Sequence, residues 1–256
     1  MRYPTAMTDR PATRLYLPDA LAVGGEAALD EAQAHRLRNV LRLAPGAAVA
    51  AFNPRDGEYL CRITALSRSG GRLTAVELRR PPVPEPDLWF AFAPIKRARL
   101  DWLIEKATEL GAAALLPVWT RRTQPERLNR DRLAAHAVAA AEQSERLSVP
   151  EIREAQPLDG LLAAWEVARR LFVCDETGTG TPIAAALAGF DGSGPAALLV
   201  GPEGGFTETE LDALGKLPFV THIGLGPRVL RAETAAIAAL AVFQAVAGDW
   251  RRARSG

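Results

Sequence analysis

From residue 88 onward, short apolar runs alternate with segments of helical character. The apolar runs that predict buried strands are 88–93, 114–118 and 170–174, with two more before the glycine turns described below. The helical segments are 96–110, 130–144, 182–187 and 232–246. Strands that alternate with helices of about 10–15 residues are typical of a mostly parallel sheet with helices on both faces. The pattern therefore predicts an α/β domain over residues 88–250.

Four prolines among residues 81–86 interrupt the chain before this domain. Such a segment forms neither a helix nor a central strand, so we predict an extended linker over residues 81–87. The segment before it contains strand-length apolar runs separated by turns, at 47–52, 58–63 and 73–78, and one helical segment at 31–41. This spacing predicts a small β-barrel or meander over residues 13–80, preceded by an unstructured stretch at residues 1–12.

Composition restricts the cellular setting and the chemistry. No apolar run approaches the ~20 residues of a membrane span, and the first residues lack the apolar segment of a secretory signal. The two cysteines, Cys61 and Cys174, lie in apolar stretches, as expected of reduced structural thiols. The three histidines, His35, His136 and His222, are scattered singly, which disfavours a zinc site. We therefore expect a cytoplasmic protein with no membrane contact and no metal.

Two apolar runs near the end of the chain break into turns that contain glycine and proline. The first turn is residues 201–207, Gly-Pro-Glu-Gly-Gly-Phe-Thr, and the second turn is residues 224–231, Gly-Leu-Gly-Pro-Arg-Val-Leu-Arg. Such turns expose backbone amides at the carboxyl ends of strands, where open α/β sheets bind ligands. The two turns therefore predict two walls of one pocket. Thr207 and Glu210 are spaced for a capping box at the start of the next helix.

Neither turn has the spacing of a common nucleotide-binding loop. The first turn lacks the lysine and the G-x-x-x-x-G-K-[ST] pattern, which excludes a P-loop. The absence of G-x-G-x-x-G at the first strand–helix unit disfavours a Rossmann dehydrogenase. A tight strand–helix turn without a ligand is the alternative interpretation of the first turn.

Three charged side chains lie in or just after the otherwise apolar second turn: Arg228, Arg231 and Glu233. They predict either structural ion pairs or contacts with a substrate or a neighbouring subunit. The alanine-rich helix over 232–246 has a thin profile that suits close packing against another backbone or a second subunit. Its alanine content is equally explained by good helix propensity.

The front of the chain is basic. Residues 1–80 contain 12 arginines and 8 acidic residues, whereas the remainder contains 19 basic and 22 acidic residues. This asymmetry suits a surface that contacts nucleic-acid phosphates, with a solvated arginine-rich surface as the alternative. The spacing of Arg36, Arg38 and Arg42 places them near one face of the helix over 31–41, which makes them the candidates for contacts with nucleic-acid phosphates.

These motifs together resemble one enzyme family. The two turns are similar to the cofactor loops of the SPOUT class of S-adenosylmethionine-dependent RNA methyltransferases, and more narrowly to the RsmE family. Further segments resemble the same family: residues 14–16, 35–43, 105–111, 141–146 and 149–150. The resemblance covers about residues 14–250. One departure is Ser144-Glu145, where the family has a Cys/Ser-Gly pair before the arginine.

The resemblance implies an architecture and an activity. The C-terminal domain is expected to be a SPOUT domain with a deep trefoil knot, and the N-terminal domain a PUA-like β-barrel that grips RNA. The family is homodimeric, with its cofactor pocket close to the subunit interface. Its reaction is transfer of a methyl group from S-adenosylmethionine to N3 of a uridine in 16S ribosomal RNA of the small subunit.

The resemblance also suggests roles for individual residues. The cofactor is expected to be held by backbone groups of Leu199, Gly201, Gly205, Ile223, Leu225, Gly226 and Leu230. Arg231 and Arg14 are the first candidates for cations that stabilise a uracil anion or its phosphate, and Arg228 is the second choice. Glu203 or Glu233 is the candidate general base, and either is equally explained as a structural carboxylate.

Three other functions remain open from the sequence. One is a SPOUT methyltransferase that acts on transfer RNA or on a ribose 2′-hydroxyl, which the N-terminal domain and the Gly-Pro-Arg-Val-Leu-Arg turn disfavour. Another is a non-catalytic RNA-binding factor of ribosome assembly, which has no need of two glycine turns. The third is a Rossmann dehydrogenase, which lacks its glycine motif here.

Overall fold

The computed structural model describes residues 10–123, 128–190, 192 and 194–251. The chain folds into two compact units. The first unit comprises Met1–Pro84 and Ala141–Ser148, and the second comprises Glu85–Ala140 and Val149–Gly256. The boundary between Pro84 and Glu85 thus falls inside the proline-rich stretch. Residues 81–87 form no helix or strand. The prediction for residues 1–12 falls largely outside the described residues.

One five-stranded sheet forms the first unit. Its strands are β1 Arg14–Tyr16, β2 Glu26–Leu29, β3 Ala48–Asn53, β4 Gly57–Leu66 and β5 Gly71–Arg80. They lie in the order β1-β3-β4-β5-β2, with β1 parallel to β3 and the other pairs antiparallel. Because β1 and β2 each pair on one side only, the sheet is an open half-barrel. Its core includes Leu15, Val49 and Ile63, and the β-rich first domain is confirmed.

A short helical region joins β2 and β3. Helix α1, Glu31–His35, begins with a capping box in which the side chains of Asp30 and Gln33 each accept from the other's backbone N–H. A π-helical segment, Arg36–Val40, follows directly. The predicted helix over 31–41 is thus confirmed, but the placement of Arg42 on its face is wrong. The helical residues end at Val40, and Arg42 has a φ of 54°, in the left-handed region.

The side chain of Arg14 binds residues 141–148 to the rest of the first unit. Its guanidinium donates hydrogen bonds to four oxygens, those of the Glu58 carboxylate (2.6 Å) and of the Ala141 (2.8 Å), Glu142 (2.9 Å) and Arg146 (3.1 Å) carbonyls. The Arg14 guanidinium also lies 4.1 Å from the centroid of the Phe52 ring. The segment from the middle of the chain is therefore held by an arginine on β1.

The same segment provides a buried carboxylate and a left-handed residue. Glu142, 8% exposed, accepts a hydrogen bond from the backbone N–H of Tyr16 and forms an ion pair with Arg36. Glu145 has a φ of 61°, which favours glycine. This is the position at which the sequence departs from the family's Cys/Ser-Gly pair. Glu145 therefore adopts the backbone conformation that a glycine takes without strain.

An entirely parallel sheet forms the second unit. Its strands are β6 Leu88–Phe92, β7 Ala114–Trp119, β8 Glu151–Ile152, β9 Gln156–Pro157, β10 Arg170–Cys174, β11 Thr181–Pro182, β12 Ala196–Val200 and β13 Val220–Gly224. The order is β11-β13-β10-β12-β6-β7-β8, and β9 also pairs with β7. Each pairing is parallel, which confirms the predicted sheet.

Helices cover both faces of this sheet. They are α2 Arg97–Glu109, α3 Arg130–Gln143, α4 Leu158–Ala163, α5 Ile183–Ala188, α6 Glu208–Gly215 and α7 Ala232–Val246, with a final 3-10 turn at Asp249–Arg251. On β6, Phe90 packs in one core cluster with Leu240 of α7. The next residue, Ala91, packs in a second cluster with Leu161 of α4 and Leu214 of α6. Successive strand residues point to opposite faces, so the expected α/β layering is confirmed.

Two further expectations concern the whole chain. The trefoil knot implied by the family resemblance stays a prediction. Within the described ranges, no helix is both long enough and apolar enough to span a bilayer.

Candidate active site

A cavity of about 670 Å³ lies at the carboxyl ends of three neighbouring strands of the second unit. Strands β10, β12 and β13 end at Cys174, Val200 and Gly224, and the residues after each end line the cavity. The first turn and the second turn form two of its walls, as the sequence predicts. The third wall is the segment 175–180, here called the third loop, of which Asp175 to Gly178 face the cavity.

The first turn is shaped by two glycines. A Cβ on Gly201 would lie 2.7 Å from the ring of Phe206, so only glycine fits there. Gly205 has a φ of 71°, and a Cβ on it would overlap the Glu176 carboxylate. The backbone N–H of Phe206 donates to that carboxylate at 2.8 Å. Glu176 thus ties the third loop to the first turn.

The predicted capping box at the end of the first turn is confirmed. The Thr207 hydroxyl accepts from the backbone N–H of Glu210 at 3.2 Å, and the Thr207 N–H donates to the Glu210 carboxylate at 2.8 Å. The buried Glu210 also accepts from the backbone N–H of Arg121 at 2.8 Å. The capping box therefore fixes the residue at which the first turn ends and helix α6 begins.

The second turn presents two cations. Arg228 and Arg231 line the cavity, and neither forms an ion pair or a side-chain hydrogen bond within the described part of the chain. Gly226 has a φ of 102°, and a Cβ on it would meet nothing within 4 Å. Val229, between the arginines, is 86% exposed. The second turn is therefore an open loop that leaves positive charge available to a ligand.

The third loop is built around the carboxylate of Asp175. One of its oxygens accepts from the Thr177 N–H at 2.8 Å and from the Thr177 hydroxyl at 2.5 Å, and the other pairs with Nδ1 of His222 at 3.1 Å. Burial raises the pKa of Asp175, but the hydrogen bonds from Thr177 and His222 outweigh it and hold that pKa below its usual value. Asp175 is therefore an ionised structural group at the cavity wall.

A guanidinium links the two candidate general bases. Arg99, on α2, lies 2.9 Å from the Glu203 carboxylate and 3.6 Å from that of Glu233. Glu203 lines the cavity with its side chain 46% exposed, whereas the Glu233 side chain is 13% exposed. The buried Oε2 of Glu233 has no hydrogen-bond partner among the described residues. The two carboxylates therefore differ in access to a substrate.

Comparison with known proteins identifies the family. A family model described as an RNA methyltransferase domain matches residues 83–244, and one described as an RNA methyltransferase PUA domain matches residues 29–74. The chain is 33% identical to ribosomal RNA small subunit methyltransferase E of Rickettsia conorii over 232 residues, covering 89% of this chain and 93% of the relative. The chain belongs to the small-subunit ribosomal RNA methyltransferase E family.

Further relatives agree with the family assignment. The Bacillus subtilis methyltransferase E is 30% identical over 82% of this chain and 86% of its own length. A crystal structure of methyltransferase E from Neisseria gonorrhoeae bound to S-adenosyl methionine superimposes with a TM-score of 0.82 at 27% identity, covering 93% of this chain and 99% of that one. The RsmE resemblance inferred from the motifs is thereby confirmed.

Five of the seven residues predicted to hold the cofactor line the cavity. They are Gly201, Gly205, Leu225, Gly226 and Leu230. The other two, Leu199 and Ile223, are fully buried in strands β12 and β13 and lie outside the cavity lining. The Ile223 carbonyl is already taken by the N–H of Asp175, at 2.9 Å.

The four arginines of the first unit that were predicted to contact RNA differ in how far their side chains are already bonded within the fold. Arg14 is the structural arginine described above, with its guanidinium bonded to four oxygens, so we remove it from the substrate contacts. Arg36 is paired with the buried Glu142. Among the described residues, Arg38 donates a hydrogen bond to the neighbouring Asn39 alone, and Arg42 is exposed and has no partner. Two of these arginines therefore remain available to RNA.

Three groups at the cavity were not identified by the sequence analysis. Arg99 is one of several charges on an ordinary amphipathic helix, and its contacts with Glu203 and Glu233 are far apart in sequence. Asp175 and Glu176 follow a strand and have the composition of a surface turn. Acidic residues directly after a buried strand are the one pattern that indicates them.

Proposed function

We propose that this protein transfers a methyl group from S-adenosylmethionine to N3 of a uridine in the 16S RNA of the small ribosomal subunit. The observation that carries the proposal is the cavity itself. Its walls are glycine-containing turns at the ends of parallel strands, and it is lined by two arginines that have no ion pair among the described residues. The chain also belongs to an RNA methyltransferase family.

The residues around the cavity fit S-adenosylmethionine. The volume of about 670 Å³ lies in the range of small-molecule sites. At Gly178 and Gly226 a Cβ would meet nothing within 4 Å, so the backbone there is open to a ligand. The wall combines apolar groups such as Leu225 and Leu230 with the carboxylate of Glu176. Backbone amides suit an adenine, and a nearby anion suits the positive sulfonium.

The cofactor supplies an activated methyl group, so the protein has to position the uracil and increase the electron density at its N3. A neutral uracil has a proton on N3, and loss of this proton leaves a negative charge shared with the flanking carbonyl oxygens. Arg231, at the start of α7 and without an ion pair in the described part of the chain, is placed to stabilise that charge. Arg228 is the second cation at the same wall. The N3 edge takes part in base pairing, so the uridine must enter unpaired or flipped.

We assign proton removal to Glu203 rather than Glu233. A general base must come within hydrogen-bond reach of the proton that it accepts. Glu203 lines the cavity and is half exposed, whereas Glu233 has a buried Oε2 and lies in the first turn of α7, where a carboxylate is stabilised by the helix dipole. Glu233 then acts by holding Arg99.

The first unit supplies further RNA contacts in this proposal. Arg38 and Arg42 are the candidates, since Arg14 and Arg36 are engaged within the fold. Charge reversal at Arg38 and Arg42 should weaken RNA binding and flatten its dependence on salt. Family resemblance also supports a homodimer that works in the cytoplasm. Light scattering of the purified protein measures its oligomeric state.

One experiment tests the reaction, the substrate and the cofactor together. The protein is incubated with labelled S-adenosylmethionine and small subunits from cells that lack this gene, and the label is mapped by mass spectrometry. The expected result is N3-methyluridine at a single 16S position. Label in transfer RNA or on a ribose, or cofactor binding without transfer to the small subunit, would contradict the proposal.

A matched pair of arginine variants tests the role of Arg231. Arg231→Ala should lower kcat about 100-fold, the scale of one lost stabilising group at a developing charge, with unchanged cofactor affinity. Arg97→Ala removes an exposed arginine from the start of α2, outside the cavity lining, and should leave kcat unchanged. Equal rates for the two variants would remove Arg231 from the mechanism.

A further inference from the structure

The ends of strands β10 and β13 are joined by side chains as well as by backbone. Asp175 directly follows β10, and its side chain is 4% exposed. It pairs with Nδ1 of His222, on β13, at 3.1 Å. The backbone N–H of Asp175 donates to the carbonyl of Ile223, the residue after His222, at 2.9 Å. The bonds of Asp175 therefore hold the third loop against β13, the strand that leads into the second turn.

The remaining oxygen of Asp175 organises the third loop. It accepts from both the backbone N–H and the hydroxyl of Thr177, and this hydroxyl lies 2.8 Å from that of Thr179. Thr177 and Gly178 line the cavity. One buried carboxylate thus orients the loop on one side and binds the imidazole on the other.

Close backbone packing transmits this arrangement to the second turn. A Cβ on Gly180 would lie 2.6 Å from the carbonyl carbon of Ile223 and 2.8 Å from the nitrogen of Gly224. Gly224 begins the second turn, and the next residue, Leu225, lines the cavity. A shift of the third loop away from His222 therefore disturbs two cavity walls together.

His222 is suited to this single contact. Its Nε2 is buried and has no hydrogen-bond partner among the described residues. The ring therefore makes one side-chain hydrogen bond in the described chain, through Nδ1 to Asp175. Its other nitrogen is not exposed for proton exchange with a substrate in the cavity. These contacts indicate a positional role and not a catalytic one.

We propose that Asp175 and His222 form a positioning pair that holds the third loop and the second turn in the geometry that binds S-adenosylmethionine. The imidazole of His222 lies outside the cavity lining, and both oxygens of the Asp175 carboxylate are engaged within the fold. The pair therefore controls affinity for the cofactor more than the rate of methyl transfer. This inference rests on the proposed function, since it names the ligand of that cavity.

Two replacements of His222 distinguish the effect of its hydrogen bond to Asp175 from the effect of its imidazole ring. His222→Leu removes the donor to Asp175, whereas His222→Asn places an amide N–H near the position of Nδ1. The chain offers a matched control in His136, whose Nε2 lies 3.6 Å from Asp101 in the second unit and outside the cavity lining. His136→Leu removes a histidine–aspartate contact of the same kind without touching the cavity.

Calorimetric titration with S-adenosylmethionine and with S-adenosylhomocysteine measures the effect without turnover. His222→Leu should weaken both affinities about tenfold, the scale of one hydrogen bond to a charged group. The rate at saturating cofactor should fall less than about twofold, because the reacting groups are unchanged. His222→Asn should recover most of the affinity, and His136→Leu should bind like the wild type. In an Asp175→Asn background, His222→Leu should cause little further loss.

Several outcomes would overturn the inference: wild-type affinity in His222→Leu, no recovery in His222→Asn, or losses that multiply in the double variant. If His222→Leu fails to fold, Thr177→Val and Thr177→Ser test the other side of the carboxylate on an exposed residue. The valine should weaken binding and the serine should not, and equal affinities would overturn the inference. A wild-type protein that binds neither compound would instead overturn the proposed function.

Discussion

Replacement of Gly205 by alanine tests how the first turn and the third loop depend on each other. Gly205 has a φ of 71°, so an alanine there adopts the left-handed region at a cost of about 1 kcal/mol. Its Cβ would also overlap the Glu176 carboxylate and lie 2.9 Å from the carboxyl carbon. The flexible Glu176 side chain can swing away only by giving up its hydrogen bond from Phe206. A hydrogen bond to a charged group contributes about 2 kcal/mol.

Gly178 provides the matched control. Its φ is 84°, and a Cβ there would meet nothing within 4 Å, so Gly178→Ala has the backbone cost alone. We expect the free energy of unfolding to fall by about 3 kcal/mol in Gly205→Ala and about 1 kcal/mol in Gly178→Ala. Each glycine-to-alanine replacement also lowers the conformational entropy of the unfolded chain by a similar amount. This effect cancels when the two changes in the free energy of unfolding are subtracted.

Urea unfolding followed by tryptophan fluorescence measures this difference. All five tryptophans lie in the second unit, so the signal reports the unit that contains both glycines. In a Glu176→Ala background the loss caused by Gly205→Ala should shrink to that of Gly178→Ala, since no carboxylate remains to be displaced. Equal losses for the two glycine variants in the wild-type background would refute the reasoning.

Three further predictions concern other parts of the chain. Glu145→Gly should stabilise the protein by about 1 kcal/mol, because it relieves a φ of 61°, and thermal unfolding by circular dichroism checks this. Burial raises the pKa of Cys61 to about 11 and that of Cys174 to about 12, so neither thiol should react with a colorimetric thiol reagent at about pH 8 until urea is added. The pKa of Asp175 is lowered by folding, so its contribution to stability is present above its unfolded pKa of about 4 and is lost as the pH falls through the native value. Asp175→Asn should therefore flatten the acid side of the urea-midpoint profile, and an unchanged slope would contradict the assignment.

Local patterns were sufficient for most of the second unit. The strand over 170–174 and the helix over 232–246 match the observed β10 and α7, because a compact apolar run and a long alanine-rich run leave few alternatives. The capping box at Thr207 is also a local pattern, since its two residues are three apart in sequence. Interactions of this kind depend on neighbouring residues alone.

Contacts between distant residues account for what the sequence did not show. Arg14 has the features of an RNA-binding arginine until its bonds to carbonyl oxygens more than 120 residues away are seen. Arg99 is likewise defined by carboxylates 104 residues and more away. The placement of Arg42 on the same helix face as Arg36 and Arg38 failed for a different reason, because the π-helical segment changes the angular spacing of side chains and ends at Val40.

The assignment of residues 141–148 to the first unit has a consequence for synthesis of the protein. During translation the half-barrel emerges first, yet three of the four oxygens that Arg14 binds belong to residues made much later. Until residue 146 leaves the ribosome, the Arg14 side chain has the Glu58 carboxylate as an acceptor but lacks the three carbonyl oxygens. The first unit is therefore complete only after more than half of the polypeptide has been made, and a fragment that stops at Pro84 lacks these three acceptors.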